Sequence, residues 1–326
     1  MLYIFIFEIY MAHEIIITNV AILKVYSSDP VTPETSNYVT FGEFKTQIEK
    51  CKTILESCIT DSNGVKTIKI YLGWSANPFK AGDNTLGMAD KTNQTIRINQ
   101  WNTGQYYLND TLEHQNISVI IHEIFHIFGL FPNSIGGNIS EKSDSEERTR
   151  RIYTGANGLN GYKKVLLANN ITVPDPIYIC LEDDFGQGTV NVHLEEAYNS
   201  SSDKYEVIKI IDPTTGKQFY PTLWNEIMSG LLDGDNYITP ITMGCLEDFG
   251  YTINYDSKYI VTNGKNMKFV NDIKSKQMGT SQNYLTMNEN MYDITYLNKV
   301  LKDSTLKNRN ILSETVIKKW GQKTSR

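Results

Sequence analysis

Hydrophobic and polar positions along this chain change period several times, and each change marks an element. Residues 14–26, EIIITNVAILKVY, are rich in β-branched side chains and predict a strand. Over residues 40–58, Phe44, Ile48, Cys51, Ile54, Leu55 and Cys58 recur at helical spacing. Alternation in TIKIYLGW, residues 67–74, predicts a second strand, and residues 86–101 predict two short strands about a turn at Lys91 to Asn93. NISVIIHEIFHIFGL follows and is apolar almost all round, which predicts a buried helix. The first part of the chain therefore reads as a β-and-α layer leading into that helix.

The pattern then loosens. Residues 133–150 are polar and turn-rich and predict an exposed loop. YTGANGLNGYKKVLLAN, from residue 153, holds a short helix, and a loop-rich run leads to His193. Residues 199–222 predict an inserted hairpin, strand–turn–strand, with the turn at DPTTG from Asp212. Residues 239–251 predict a helix ended by Gly250.

Composition narrows the class. With 326 residues, 40 % hydrophobic and 21 % charged, the chain can fold as one large globular domain or two lobes. A net charge of −6 argues against a polyanion binder as a whole. Residues 257–326 carry 13 Lys/Arg against 5 Asp/Glu, while the rest carries 18 against 32. The division expected is a body over 1–255 and a basic C-terminal extension over 256–326, read as a solvated tail and only a weak hint of nucleic acid. Cys51 and Cys58 stand seven apart in a helix, about 10 Å along its axis, too far to bridge. Whether Cys180 and Cys245 pair depends on the fold. The apolar N-terminus MLYIFIFEIYMA has no leading cation and is interrupted by Glu8, so it makes a poor signal peptide. No stretch reaches about 18 continuous apolar residues, so no membrane span is expected. Location and oligomeric state stay open.

The buried helix carries the chemistry. On a helix, residues four apart share a face, so His122 and His126 project side by side and can converge on one ion. Glu123, next to the first, can reach a water held at such an ion and act as general base. A catalytic zinc needs a third protein ligand and an open position. Gly129, three after His126, permits the turn that redirects the chain, but Pro132 stands where a compact HExxHxxGxxH motif has its third histidine. Downstream of His126 the chain has one histidine, His193. A carboxylate from 141–147 or 182–184 is the alternative ligand.

Taken together these segments resemble the leishmanolysin family of metzincin zinc peptidases, in which a long insertion separates the glycine from the third histidine; here the gap from Gly129 to His193 is 64 residues. YTGANGLNGYKKVL resembles the family's F/YTG-x-N-A-x-x-x-Y segment, GQGTVNVHLEEA its G-x-GT-x-x-x-HW-x-E segment, WNEIMSG its NE-L/I-M-T/S-G segment, and ITPITMGCLEDFGYTIN its closing helix. The resemblance covers about residues 65–255. It implies an α+β metzincin fold with a twisted mixed sheet and the active-site helix in an upper lobe (12–130), and a mostly irregular lower lobe (131–255) with a C-terminal helix. It implies one catalytic Zn2+ on His122, His126 and His193, a Met-turn at Met228, and a protein or peptide substrate. Departures are Leu194 in place of Trp, about 24 extra residues before Met228, and no cysteine-rich architecture or cysteine-switch propeptide.

Leu86, Gly87, Met88 and Ala89 are expected to form the edge strand that pairs with an extended substrate, as β-augmentation requires. Gly230 stands where some metzincins place an oxyanion-stabilising tyrosine, and Tyr237 is read as packing. The function expected is a zinc-dependent endopeptidase; the alternative is a catalytically silent, zinc-stabilised binding module.

Overall fold

The computed structural model describes residues 13–17, 20–27, 41–62, 64–72, 86–99, 107–108, 117–131, 137–143, 149–171, 173, 176–182, 191–195, 198–199, 204–205, 222–223, 225–232, 235–264, 267, 269–270 and 310–311. Period-two alternation in the first hundred residues builds one mixed sheet. Its strands are β1 (His13–Ile17), β2 (Ala21–Ser27), β4 (Lys66–Leu72), β6 (Thr95–Ile98) and β5 (Gly87–Asp90), in that spatial order. β2, β4 and β6 run parallel; β1 and β5 pair antiparallel at the two edges. The single strand expected over 14–26 is a hairpin instead. Its β-branched content specifies extended chain, but the reversal is local: the Val20 N–H donates to the Ile17 carbonyl, 3.1 Å away. The turn between β5 and β6 lies where expected, and the Asp90 carboxylate holds it by accepting from the Asn93 amide N–H and side chain.

One face of the sheet (Leu23, Val25, Ile68, Ile70, Ile96 and Ile98, all fully buried) packs on two helices. α1 (Phe41–Cys58) presents its expected apolar stripe, each member at most 1 % exposed. α2 (Ile117–Phe128) is the apolar helix with the histidines. β3 (Ile59–Asp61) leaves the end of α1 and pairs with Thr252–Ile253 from far along the chain.

The later half is held by short strands and two helices. β7 (Tyr107–Leu108) pairs in parallel with Asp235–Asn236. Residues 133–150, expected as a loop, include β8 (Ile139–Ser143) and part of β9 (Thr149–Tyr153), which form a three-stranded sheet with β10 (Ile179–Cys180). Their polarity concealed them: Glu141 and Arg151 are register partners and form a cross-strand ion pair at 3.9 Å, a half-solvated pairing with no apolar alternation on β8. Of the hairpin expected over 199–222, the turn at 212–216 lies outside the described residues; the pairing seen at its two ends is a different one, Tyr198–Asn199 antiparallel with Lys204–Tyr205, and Thr222–Leu223 with Phe269–Val270.

α3 (Ala156–Ala168) and α4 (Pro240–Asp248) cross with their backbones in contact. A Cβ on Gly161 would stand 1.9 Å from the Pro240 carbonyl oxygen, and one on Gly244 2.2 Å from that of Asn157. The Asp248 carboxylate caps α3 by accepting from the Asn157 and Gly158 amides, both at 3.0 Å, and from the Tyr153 hydroxyl at 2.9 Å. Gly250, at φ +89, ends α4 where the sequence placed its stop.

Packing continues past residue 255. The Ser257 hydroxyl bonds Ser57, Val261 N–H donates to the Ile238 carbonyl, and Phe269–Val270 pairs with Thr222–Leu223. All four cysteines are buried and free, so Cys180 and Cys245 do not pair. Among the described residues no helix is long and apolar enough to cross a membrane.

Candidate metal centre

α2 positions the first two candidate ligands by helical geometry alone. Eleven of its twelve residues are buried, so its axis is fixed by apolar packing, and four-residue spacing puts His122 and His126 on one face. Gly129, at φ +116, closes the helix: its N–H donates to the carbonyls of Phe125 and His126, and the Leu130 N–H donates to that of Phe125. That is the redirection the sequence assigned to this glycine.

His193 arrives from 67 residues beyond His126, and the three rings meet tip to tip. The Nε2 atoms of His122 and His126 are 3.0 Å apart, and each is 3.1 Å from Nε2 of His193. His122 and His193 are fully buried; His126 keeps partial exposure. His122 Nδ1 lies 2.6 Å from the Ile227 carbonyl oxygen and donates to it, so the neutral ring turns the lone pair of Nε2 toward the other two histidines. Burial holds the His122 and His126 imidazoles well below their ordinary titration range, and the neighbouring imidazoles press in the same direction. Neutral imidazoles are the form a metal takes. These three histidines could hold a metal ion. Among the described residues no carboxylate joins them, Glu141 and Glu182 of the alternative set included; 144–147 and 183–184 lie outside the described residues.

Glu123 follows His122 on the helix and is 1 % exposed. It faces edge strand β5: a Cβ on Gly87 would come within 2.9 Å of Glu123 Oε1 and 3.0 Å of Val119. A side chain there would push the carboxylate aside. Leu86, just before the strand, and Met88 within it are buried, and Ala89 packs partly buried against the core. The strand expected to receive substrate thus passes directly over the candidate base.

The floor of the cluster is irregular backbone. His193 is held by Glu182, whose N–H donates to the His193 carbonyl at 3.0 Å, and Leu194 N–H donates to the Met228 carbonyl at 2.9 Å. Met228 is fully buried in the turn 226–229. Consecutive carbonyls of that turn therefore serve two ligand-bearing segments, Ile227 the His122 ring and Met228 the backbone beside His193. Tyr237 is fully buried, its ring against Gly264, so it packs rather than reaching into the cleft.

Two contributors escaped the sequence reading. The Ile227 carbonyl carries no side-chain signal. Glu226 carries none either: between Asn225 and Ile227, with Ser229 close by, it reads like a surface glutamate. It is fully buried and accepts from the Met228 N–H at 2.6 Å, the Thr239 hydroxyl at 2.9 Å and the Thr242 hydroxyl at 2.5 Å. Burial pushes its carboxyl up to about 7, against the pull of those donors.

Comparison with family models finds no match for this chain. Neither do curated proteins or solved structures match it.

Proposed function

We propose that this chain is a zinc-dependent endopeptidase of the leishmanolysin-like metzincin kind. The observation that carries the reading is the convergence of three imidazole Nε2 atoms, 3.0–3.1 Å apart, beside a buried glutamate that faces an edge strand. The donor set fits zinc. Ligand nitrogens about 2.0–2.1 Å from a tetrahedral ion stand roughly 3.3 Å apart, close to this triangle, and three histidines leave one position open. When bound, zinc supplies Lewis acidity toward the scissile carbonyl and toward water.

The chain's own residues do the rest. His122, held through Nδ1 by Ile227, keeps its lone pair aimed inward. Glu123 takes the proton of the attacking water and returns it to the leaving amine, so that one carboxylate serves as base and then acid. β5 offers backbone groups to an extended peptide, whose main chain can add to the sheet edge above Glu123. A substrate with a free extended backbone, rather than a compact small molecule, suits such an edge.

The test is cleavage of a mixed peptide library with zinc present, read by mass spectrometry. Glu123→Ala should retain zinc and lose turnover by about 10²–10⁴-fold, the range for a general base. Equal cleavage by the variant would sink the mechanism. One observation favours the silent binding module instead: Leu231–Leu232, three residues past Met228, pair antiparallel with Asn310–Ile311 of the chain's own basic extension. On that reading the folded, zinc-loaded protein cuts nothing. The retention of Glu123, which a structural metal site has no use for, weighs toward the enzyme.

A further inference from the structure

The cluster needs three rings brought in from two unlike segments, and the turn 226–229 touches both. What fixes the turn is therefore what fixes the cluster. We infer that Glu226 is the positioning residue of the metal centre: its carboxylate clamps the turn whose Ile227 and Met228 carbonyls hold His122 and the segment of His193. The inference rests on the metal-centre reading above.

The geometry is two-sided. One carboxylate oxygen, Oε2, accepts from the Met228 N–H inside the turn. The other, Oε1, accepts from Thr239 and Thr242 at the start of α4. Thr239 is also the N-cap of that helix, its Oγ1 accepting from the Ile241 N–H at 3.1 Å, with Pro240 at the first helical position. Glu226 thus ties the turn to the start of α4, a helix packed closely on α3 at Gly161 and Gly244. The Ser229 hydroxyl and N–H both return to the Glu226 carbonyl, which closes the turn from its other end.

An amide keeps only one of the two acceptors. With its oxygen on the Met228 N–H, its NH2 turns to the Thr239 and Thr242 hydroxyls, which can accept from it but lose the oxygen they donate to, so the link to α4 must rearrange. Partners that orient metal ligands through intermediaries typically change affinity by 10–100-fold when altered.

The experiment compares wild type, Glu226→Gln, Thr242→Val and Thr242→Ser as full chains. Zinc affinity is read by competition with a chromophoric chelator. Ligand geometry is read from the visible absorption of the cobalt(II)-substituted protein, and folding from circular dichroism and thermal unfolding. Glu226→Gln should remain folded, weaken zinc by about 10–100-fold and alter the cobalt spectrum. Thr242→Val should act in the same direction with a smaller effect, while Thr242→Ser, which keeps the hydroxyl, should match wild type. Ile54→Val, on the buried stripe of α1, is the control: it should lower the melting temperature and leave the cobalt spectrum unchanged. If Glu226→Gln does not fold, the Thr242 pair decides alone. Wild-type affinity and spectrum in Thr242→Val, or in a folded Glu226→Gln, overturn the inference and leave the metal centre standing. Failure of wild type itself to bind zinc or cobalt overturns both.

Discussion

The two halves of the candidate metal centre are built by opposite means. α2 places His122 and His126 through regular geometry inside an apolar environment; it has no need of a polar partner to set their spacing. His193 and the turn 226–229 have no regular element. Their positions follow from isolated bridges and individual hydrogen bonds: the N–H of Glu182 to the His193 carbonyl, of Leu194 to that of Met228, of Ile227 to that of Tyr237, and of Met228 to the Glu226 carboxylate, which also accepts from the Thr239 hydroxyl at the start of α4. The lesson is one of sensitivity. A regular helix spreads a perturbation over many small contacts, so losing one costs stability and leaves direction intact. A hydrogen-bonded turn concentrates direction in few contacts, so losing one moves the ligand.

The largest expected effect tests that contrast with two substitutions. Phe125→Ala on α2 removes a fully buried ring and should cost about 3–5 kcal/mol in urea unfolding. The zinc affinity of the folded fraction should stay within about threefold of wild type, because the histidine spacing is set by the helix and not by Phe125. Gly161→Ala drives a Cβ into the Pro240 carbonyl and should cost about 3 kcal/mol. It moves the start of α4, on which Glu226 leans, so zinc affinity should fall with it. Loss of affinity in Phe125→Ala and not in Gly161→Ala would invert the comparison.

Legibility in the sequence divides along the same line. The α2 histidines, Glu123 and the closing Gly129 were readable because helical period and a positive-φ glycine are local properties. So was the stripe of α1, from Phe44 to Cys58. His193 stands out by scarcity of histidine and by the likeness of GQGTVNVHLEEA to a family segment, and Glu141 and Glu182 could be set aside as ligands only with three-dimensional distances. The strands β8 and β9 were missed because their stabilising pairs, such as Glu141 with Arg151, are cross-strand charges that look like a loop in one dimension. Nothing local distinguishes Glu226 from a surface glutamate until α4 is folded against it.

A smaller effect sits where the two halves face the sheet. Gly87→Ala adds one methyl group, and its Cβ would stand 2.9 Å from Glu123 Oε1. The carboxylate tip can shift by a few tenths of an ångström, so the stability cost should be about 1–2 kcal/mol. Turnover should fall much further, about 10²-fold, because a general base displaced from its reacting partner loses alignment. Zinc affinity should not change. Parallel losses in stability and turnover, or an active Gly87→Ala, would show that β5 does not constrain the base.

The smallest effect is the pH dependence of the metal-free protein, and here the two halves oppose each other. His122 and His126 titrate below their ordinary range in the fold because burial disfavours the imidazolium. The unfolded chain therefore binds more protons near pH 6.5 and below, and the stability these histidines contribute is lost as pH falls. Glu226 runs the other way. Its carboxyl is raised to about 7 from an ordinary value near 4.5. The folded state holds that proton more tightly, so its contribution is full below pH 4.5 and is lost as pH rises through 7. Between pH 7 and pH 5 the two contributions partly cancel, and the melting temperature of chelator-treated protein should change little. In Glu226→Gln only the histidine contribution remains. Its melting temperature should then fall more steeply on acidification than that of wild type, whatever its absolute value at neutral pH. A slope equal to wild type would mean that Glu226 does not change protonation on unfolding, and that its carboxylate is ionised in the fold by virtue of the donors on the Met228 turn and α4.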